Sequence, residues 1–190
     1  MRKTLFIILL CNLTFYSYSQ NKGIEKSVFG IQTGVLGVWI QNESKIGGEI
    51  ALRSEIGLDA GLFGGSLFYD GGTGYLLIPT ITVEPRWYYN LDKRASRSKN
   101  ISDNAGNFIS LKTSFLPDWF VISNYENINI INQVTIIPTW GIRRNIGQHF
   151  NYEAGFGIGY RYSFAKSAGF IENEGDIAAN LHLRIGYRVR

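Results

Sequence analysis

The chain has 190 residues, 45% apolar, 14% aromatic and only 18% charged, with 22 glycines and one cysteine. That length and composition predict one domain with a closed core and exclude a disordered tail protein. Beyond residue 20 no run of about 18 unbroken apolar residues occurs, which excludes a helical membrane bundle.

Residues 1–19 have the layout of a cleaved export signal. Arg2 and Lys3 form a basic end, an apolar run begins at Leu5 and fades by Tyr16, and Ser17 and Ser19 supply the small residues of a cleavage site before Gln20. Cys11 follows Leu9 and Leu10, not the small residues that a lipoprotein anchor needs, so it belongs to the signal. Cleavage would take Lys+Arg from 19 to 17 against 15 acids, and the net charge from +4 to +2. The expected mature chain has no cysteine, so disulfides and thiol chemistry are not expected. The isoelectric point near 9.2 therefore overstates any pull toward nucleic acid, and no nucleic-acid partner is expected. Residues 20–27 are expected to form a short N-terminal segment, and 28–190 the folded body.

Along that body the dominant signal is period two, the signature of strands with one apolar and one polar face. It is weak over 28–41. From Glu49 to Leu62 the even positions carry Ile50, Leu52, Ile56, Leu58 and Leu62, while Glu49, Arg53, Glu55 and Asp59 take odd ones. From Leu77 to Leu91 the apolar phase is odd, with Ile81, Val83, Trp87 and Tyr89 opposite Thr80, Thr82, Glu84 and Arg86. Weaker alternation over 105–117 and 132–145 includes Lys112 and Arg143. His149 to Phe164 is sharpest: every even residue is apolar or aromatic, against Asn151, Glu153, Arg161 and Ser163. The final segment sets Ile177, Leu181, Leu183, Ile185 and Tyr187 against Asn180, His182, Arg184 and Arg188.

These repeats persist for roughly 13–17 residues, whereas strands of soluble sheets usually run about 5–6. A tilted strand crosses a bilayer in about 9–11 residues, and an exposed edge in lipid would leave backbone groups unpaired. The predicted fold is an all-β, membrane-spanning, antiparallel up-and-down β-barrel, its apolar face toward lipid and its polar face toward the lumen. Seven segments are visible, and the usual even parity predicts eight strands, the eighth from a split of 46–69 near Gly57 or Gly61. Pro79, Pro85 and Pro138 fall inside strands and predict bulges or strand ends. Aromatic girdles are expected from Trp87, Tyr89, Tyr152, Tyr160, Tyr162 and Tyr187. Tyr152 and Tyr162 would stand roughly 25 Å apart along the normal, the height of a lipid-facing band. Connections 64–75, 118–131 and 165–176 are assigned to the outer side. Those at 92–105 and 145–149 go to the inner side, where 92–105 is longer than expected and its basic run (Lys93, Arg94, Arg97, Lys99) is read as a solvated turn.

The chain resembles the small outer-membrane β-barrel proteins of Bacteroidetes with porin-family or OmpX-like annotation. The resemblance rests on the signal ending Ser-Tyr-Ser-Gln and on four phrases: LRSEIGLDAGLFGG (52–65), EPRWYYNLDKR (84–94), PTWGIRRNIG (138–147) and YEAGFGIGYRYSF (152–164). It implies a cell outer-membrane location and an aromatic last residue read by the insertion machinery; this chain departs from that pattern, ending Tyr187-Arg188-Val189-Arg190, so recognition is expected to lean on Tyr187.

The lumen phase carries the charged candidates: Arg53, Glu55, Glu84, Arg86, Lys112, Arg143, Glu153, Arg161, His182 and Arg184. Eight strands enclose about the width that side chains fill, so these charges are expected to pair into a plug, with Gly155, Gly157 and Gly159 leaving room for neighbouring arginines. His149 and His182 sit in no nucleophile or metal-ligand motif, so neither catalysis, nor a metal, nor another cofactor is expected. Aromatic residues of the outer loops (Phe68, Tyr69, Trp119, Phe120, Tyr125, Phe170) are candidates for contact with a partner. The expected task is that of a non-enzymatic structural, accessory or surface-binding barrel. Its partners would be outer-membrane lipid or lipopolysaccharide and another outer-membrane protein complex. A small passive porin-like channel is the alternative, and a soluble exported lipocalin-like carrier the third reading.

Overall fold

The computed structural model describes residues 23–64, 73–126 and 128–189. The expected export signal, and with it Phe68 and Tyr69, lie outside the described residues.

Among the described residues nine strands form one antiparallel sheet: β1 (Ser27–Gly34), β2 (Gly37–Gly47), β3 (Ile50–Gly64), β4 (Thr73–Trp87), β5 (Asn107–Leu116), β6 (Ile122–Ser123), β7 (Gln133–Ile146), β8 (Phe150–Ser163) and β9 (Glu174–Arg188). Eight of them pair in a ring. Each strand bonds to its neighbour in chain order, with β5 passing directly to β7, and β9 returns to β1 through five residue pairs from Gly30↔Arg188 to Gly34↔Arg184. The ninth, β6, pairs with β4 only at Leu76 and Leu77, beyond the point where β5 ends. Among the described residues no helix is long and apolar enough to cross a membrane.

The extra strand arises where the alternation is weakest. Residues 28–41 are not one strand but two arms of a hairpin, β1 and β2, turning at Val35–Leu36 between the paired Gly34 and Gly37. In contrast β3 runs unbroken to Gly64, because the phase through Gly57 and Gly61 never changes. The prolines correct a second expectation. Each strand continues through its proline without a shift of register, and the ladder is interrupted on one side only. The β4–β5 pairing omits Glu84 and Pro85, and the β7–β8 pairing omits Ile137 and Pro138, while the opposite neighbour pairs normally. The missing N–H is thus turned toward a gap.

Outside the ring the exposed phase is apolar on every strand, for example Ile31, Ile40, Ile56, Val83, Ile109, Ile136, Ile158 and Leu183. Inside it the buried phase is polar: Gln32, Glu43, Arg53, Thr82, Ser110, Thr139, Glu153 and Arg184 each come from a different strand. One end of the ring is covered by the connection between β4 and β5, which contains α1 (Leu91–Ala95) and a 3-10 turn (Ser102–Asn104). Tyr88, Leu91 and Phe108 pack with Ile24 and Ala51 into a small apolar cluster there, and Ile101 leans against it. The phenyl ring of Phe108 occupies the space above Gly141, where a Cβ would come within 2.4 Å of it. The long 92–105 segment is therefore a lid over the ring interior, not merely a solvated turn.

Candidate functional site

The interior divides into two halves. Nearest the lid, four carboxylates and four guanidinium groups form one buried set. Period-two geometry puts Arg53 and Glu55, and Glu84 and Arg86, on the same face two residues apart, so each pair meets along its own strand. Arg53 bonds Glu55 at 2.8 Å, and Arg86 bonds Glu84 at 2.8 Å. Ring closure supplies the rest. Glu153 on β8 receives Arg86 through two bonds of 2.8 and 2.9 Å and Arg143 through Nε and Nη2 at 2.9 and 2.8 Å. Arg53 Nη1 lies 3.5 Å from the same carboxylate, and His182 Nε2 lies 3.3 Å from it. Arg184 reaches Glu55 from across the ring at 2.9 Å. The guanidinium planes also rest on aromatic faces, Arg86 4.2 Å from the Phe108 ring centre and Arg184 3.7 Å from that of Trp39. Forked donors on shared carboxylates suit such desolvated charges.

Glu43 is a member of this set that sequence reading missed. It is fully buried on β2, 3.0 Å from Arg143 and 3.7 Å from Arg86. Its other oxygen accepts a 2.5 Å bond from Asn104 of the lid. Asp103 and Asn104 both have positive φ, 56° and 58°, a conformation these two residue types tolerate better than most. That kink aims them inward. Asn104 Oδ1 accepts from the Glu25 backbone N–H at 2.9 Å, Asp103 pairs with Arg188, and the Asp103 carbonyl accepts from Arg143 at 3.3 Å. The lid is thus tied to the charge set through its backbone and side chains. Burial pushes the phenol of Tyr88, beside the lid, above its ordinary range.

Toward the other end the packing stops. A cavity of about 420 Å³ is lined by Trp39, Asp59, Lys112, Thr135, Asn180 and His182 together with Leu76 and Ile137. Asp59 accepts a 2.7 Å bond from Trp39 Nε1, and Asn180 bonds Thr139 at 3.2 Å. Lys112 lines this cavity and makes no ion pair among the described residues. Arg161 does not join the buried set. It stands at the cavity mouth with its side chain 42% exposed, paired with the still more exposed Asp176 at 2.8 Å. Its strand extends past the point where the ring interior is covered. The glycines of β8 likewise make room for other groups than arginine. A Cβ at Gly155 would meet the His182 ring at 2.5 Å, and one at Gly157 would meet Thr139 at 2.7 Å.

Aromatic residues collect at both ends of the outer wall. Near the lid Trp87, Tyr89, Tyr152 and Tyr187 are exposed, with Trp140 Nε1 donating to the Tyr89 hydroxyl at 2.8 Å and Tyr187 stacked on His149. At the other end Tyr160 is exposed, while Tyr162 is half-buried and accepts a 3.0 Å bond from Asn173. Of the loop aromatics, Trp119, Phe120, Tyr125 and Phe170 are all exposed. Trp119 and Phe120 border an apolar groove with Val38, Ile40, Ile56 and Ile81, so they lie against the outer wall. No family model, curated protein or solved structure matches this chain.

Proposed function

We propose that the chain is an outer-membrane β-barrel with a side-chain-filled lumen, acting without catalysis as a structural or accessory subunit that binds surface partners through its outer loops. The observation that carries this reading is the inversion of polarity, charges within the ring and apolar side chains outside it. Fully burying one large apolar side chain is worth about 1.5–3 kcal/mol. Roughly two dozen such side chains half-exposed on the strands would forfeit on the order of 20 kcal/mol in water, more than a domain's whole stability. A lipid environment removes that cost, and a closed ring leaves no backbone edge to satisfy. Outer-membrane lipid or lipopolysaccharide would meet the wall, and another outer-membrane protein complex would meet the loops.

The lumen supports an accessory task better than conduction. The ion-pair set spans the interior near one end, and the lid covers that end. A passive channel has the 420 Å³ cavity in its favour, yet the charge set and the lid would stand between that cavity and the far end of the ring. The test joins two measurements on protein purified in detergent. Unboiled and boiled samples should migrate differently on a gel, because a closed ladder resists unfolding, and planar bilayers should show no steady conductance. Identical migration with solubility in plain buffer would replace the membrane reading by a soluble carrier. Ion-selective openings abolished by Arg184→Ala would replace the accessory reading by the channel.

A further inference from the structure

One cationic pocket lies outside the interior altogether. On the lid, Lys93, Arg94, Arg97 and Lys99 converge with Arg144 of β7 around an open volume of about 520 Å³, within the range of small-ligand sites. No acid lines it, and none of the five cations forms an ion pair among the described residues. Arg144 is fixed in place all the same: its guanidinium donates to the Arg143 carbonyl at 2.6 Å and to Asn107 Oδ1 at 2.5 Å. The charges of Arg94 and Arg144 repel one another across the pocket. Folding that holds five like charges together, with no acid among the described residues lining the pocket, makes a place where an anion lowers the energy.

The remaining wall says which kind of anion. Tyr89 belongs both to this pocket and to the exposed aromatic belt. Its hydroxyl oxygen already accepts from Trp140 at 2.8 Å and from Asn107 at 3.3 Å, so its own proton is left for a further acceptor. Trp and Tyr belts mark the headgroup level of a bilayer, and a pocket walled by one of these tyrosines opens beside the place of the acyl chains. Arginine forks match the oxygens of a phosphodiester. We infer that this pocket binds the phosphate of an anionic phospholipid headgroup, holding the lid end of the barrel to its leaflet. The inference rests on the membrane reading above and adds the ligand.

The full chain, purified in non-ionic detergent, would be titrated with soluble short-chain phosphatidylglycerol, with short-chain phosphatidylcholine and inorganic phosphate as competitors, and bound lipid counted by native mass spectrometry. Phosphatidylglycerol should bind, neither competitor should displace it at equal concentration, and R97Q/K99Q and R94Q/R144Q should each weaken binding by at least about tenfold. Unchanged binding in R97Q/K99Q, whose positions are exposed, would overturn the site even if R94Q/R144Q failed to fold. Displacement by inorganic phosphate would overturn the lipid assignment in favour of a soluble anion. Heat-dependent migration of the same samples separates the two failures. If migration is intact but lipid is not retained, the site alone falls. If migration is unchanged by boiling and the protein is soluble without detergent, the membrane reading falls and this assignment with it.

Discussion

The two halves of the ring interior are built from the same eight strands, yet they follow opposite rules. In the half under the lid, Glu43, Glu55, Glu84 and Glu153 share Arg53, Arg86, Arg143 and Arg184, and every carboxylate has at least one guanidinium partner. In the other half Asp59, Lys112, His182 and Asn180 border open space. The difference follows from side-chain length and partner count. Arginines on facing strands reach across the ring and fill it, whereas short side chains on the inner faces, Ser114, Thr135 and Ala178 among them, line the cavity without filling it. Charge that is fully paired can be desolvated, and charge that is not must stay near water.

The largest expected effect breaks the packed half. Glu153→Gln removes the carboxylate shared by Arg53, Arg86 and Arg143 and should lower unfolding free energy by about 3–5 kcal/mol. Denaturant titration followed by gel migration would measure it, with Glu172→Gln in an exposed connection changing by less than about 0.5 kcal/mol. Equal small losses at both sites would mean a wet interior. Next comes the tie between lid and ring. Asn104→Ala leaves Glu43 without its 2.5 Å donor, and a loss of about 1–3 kcal/mol is expected, with faster proteolysis within 88–106. A lid cut no faster than wild type would show that the apolar cluster alone holds it. In the open half Lys112→Met should be neutral or stabilising by up to about 1 kcal/mol, since no carboxylate among the described residues pairs with its ammonium; a loss above that by the same titration would place it in the packed set. Smallest is Arg161→Ala, whose solvent-exposed pair with Asp176 should contribute under about 0.5 kcal/mol in the same assay.

Much of this architecture is legible in the sequence because a strand with two unlike faces writes its period directly. Glu153, Arg86 and Arg184 could be assigned to the inner face from alternation alone. Their partners could not, since which residue meets which depends on how far the ring staggers before it closes. The β1–β2 hairpin was hidden because its two-residue turn is Val35–Leu36, apolar like the strands beside it. Gly34 and Gly37, on either side, were the available signal. Without that turn, alternation assigns no inner face to β2, and so none to Glu43. The lid was hidden for another reason. Its basic, serine-rich middle has the composition of a solvated turn, and its anchors, Leu91 and the Asp103–Asn104 kink, act through long-range contacts that no local pattern carries.

The closure of the ring has a consequence for the order in which it assembles. The β3–β4 hairpin joins fifteen residue pairs that lie close along the chain, and its loop costs little to close. The seam between β1 and β9 joins only five pairs, and they are separated by nearly the whole sequence. Contacts of such separation form late, after the local hairpins have reduced the entropy of bringing the two ends together. Arg184, which sits in that seam and reaches Glu55 on β3, therefore finds its carboxylate only in the final step. Until then the charge set is incomplete, so the last strand acts as a latch that turns an open sheet into a closed ring with one packed half.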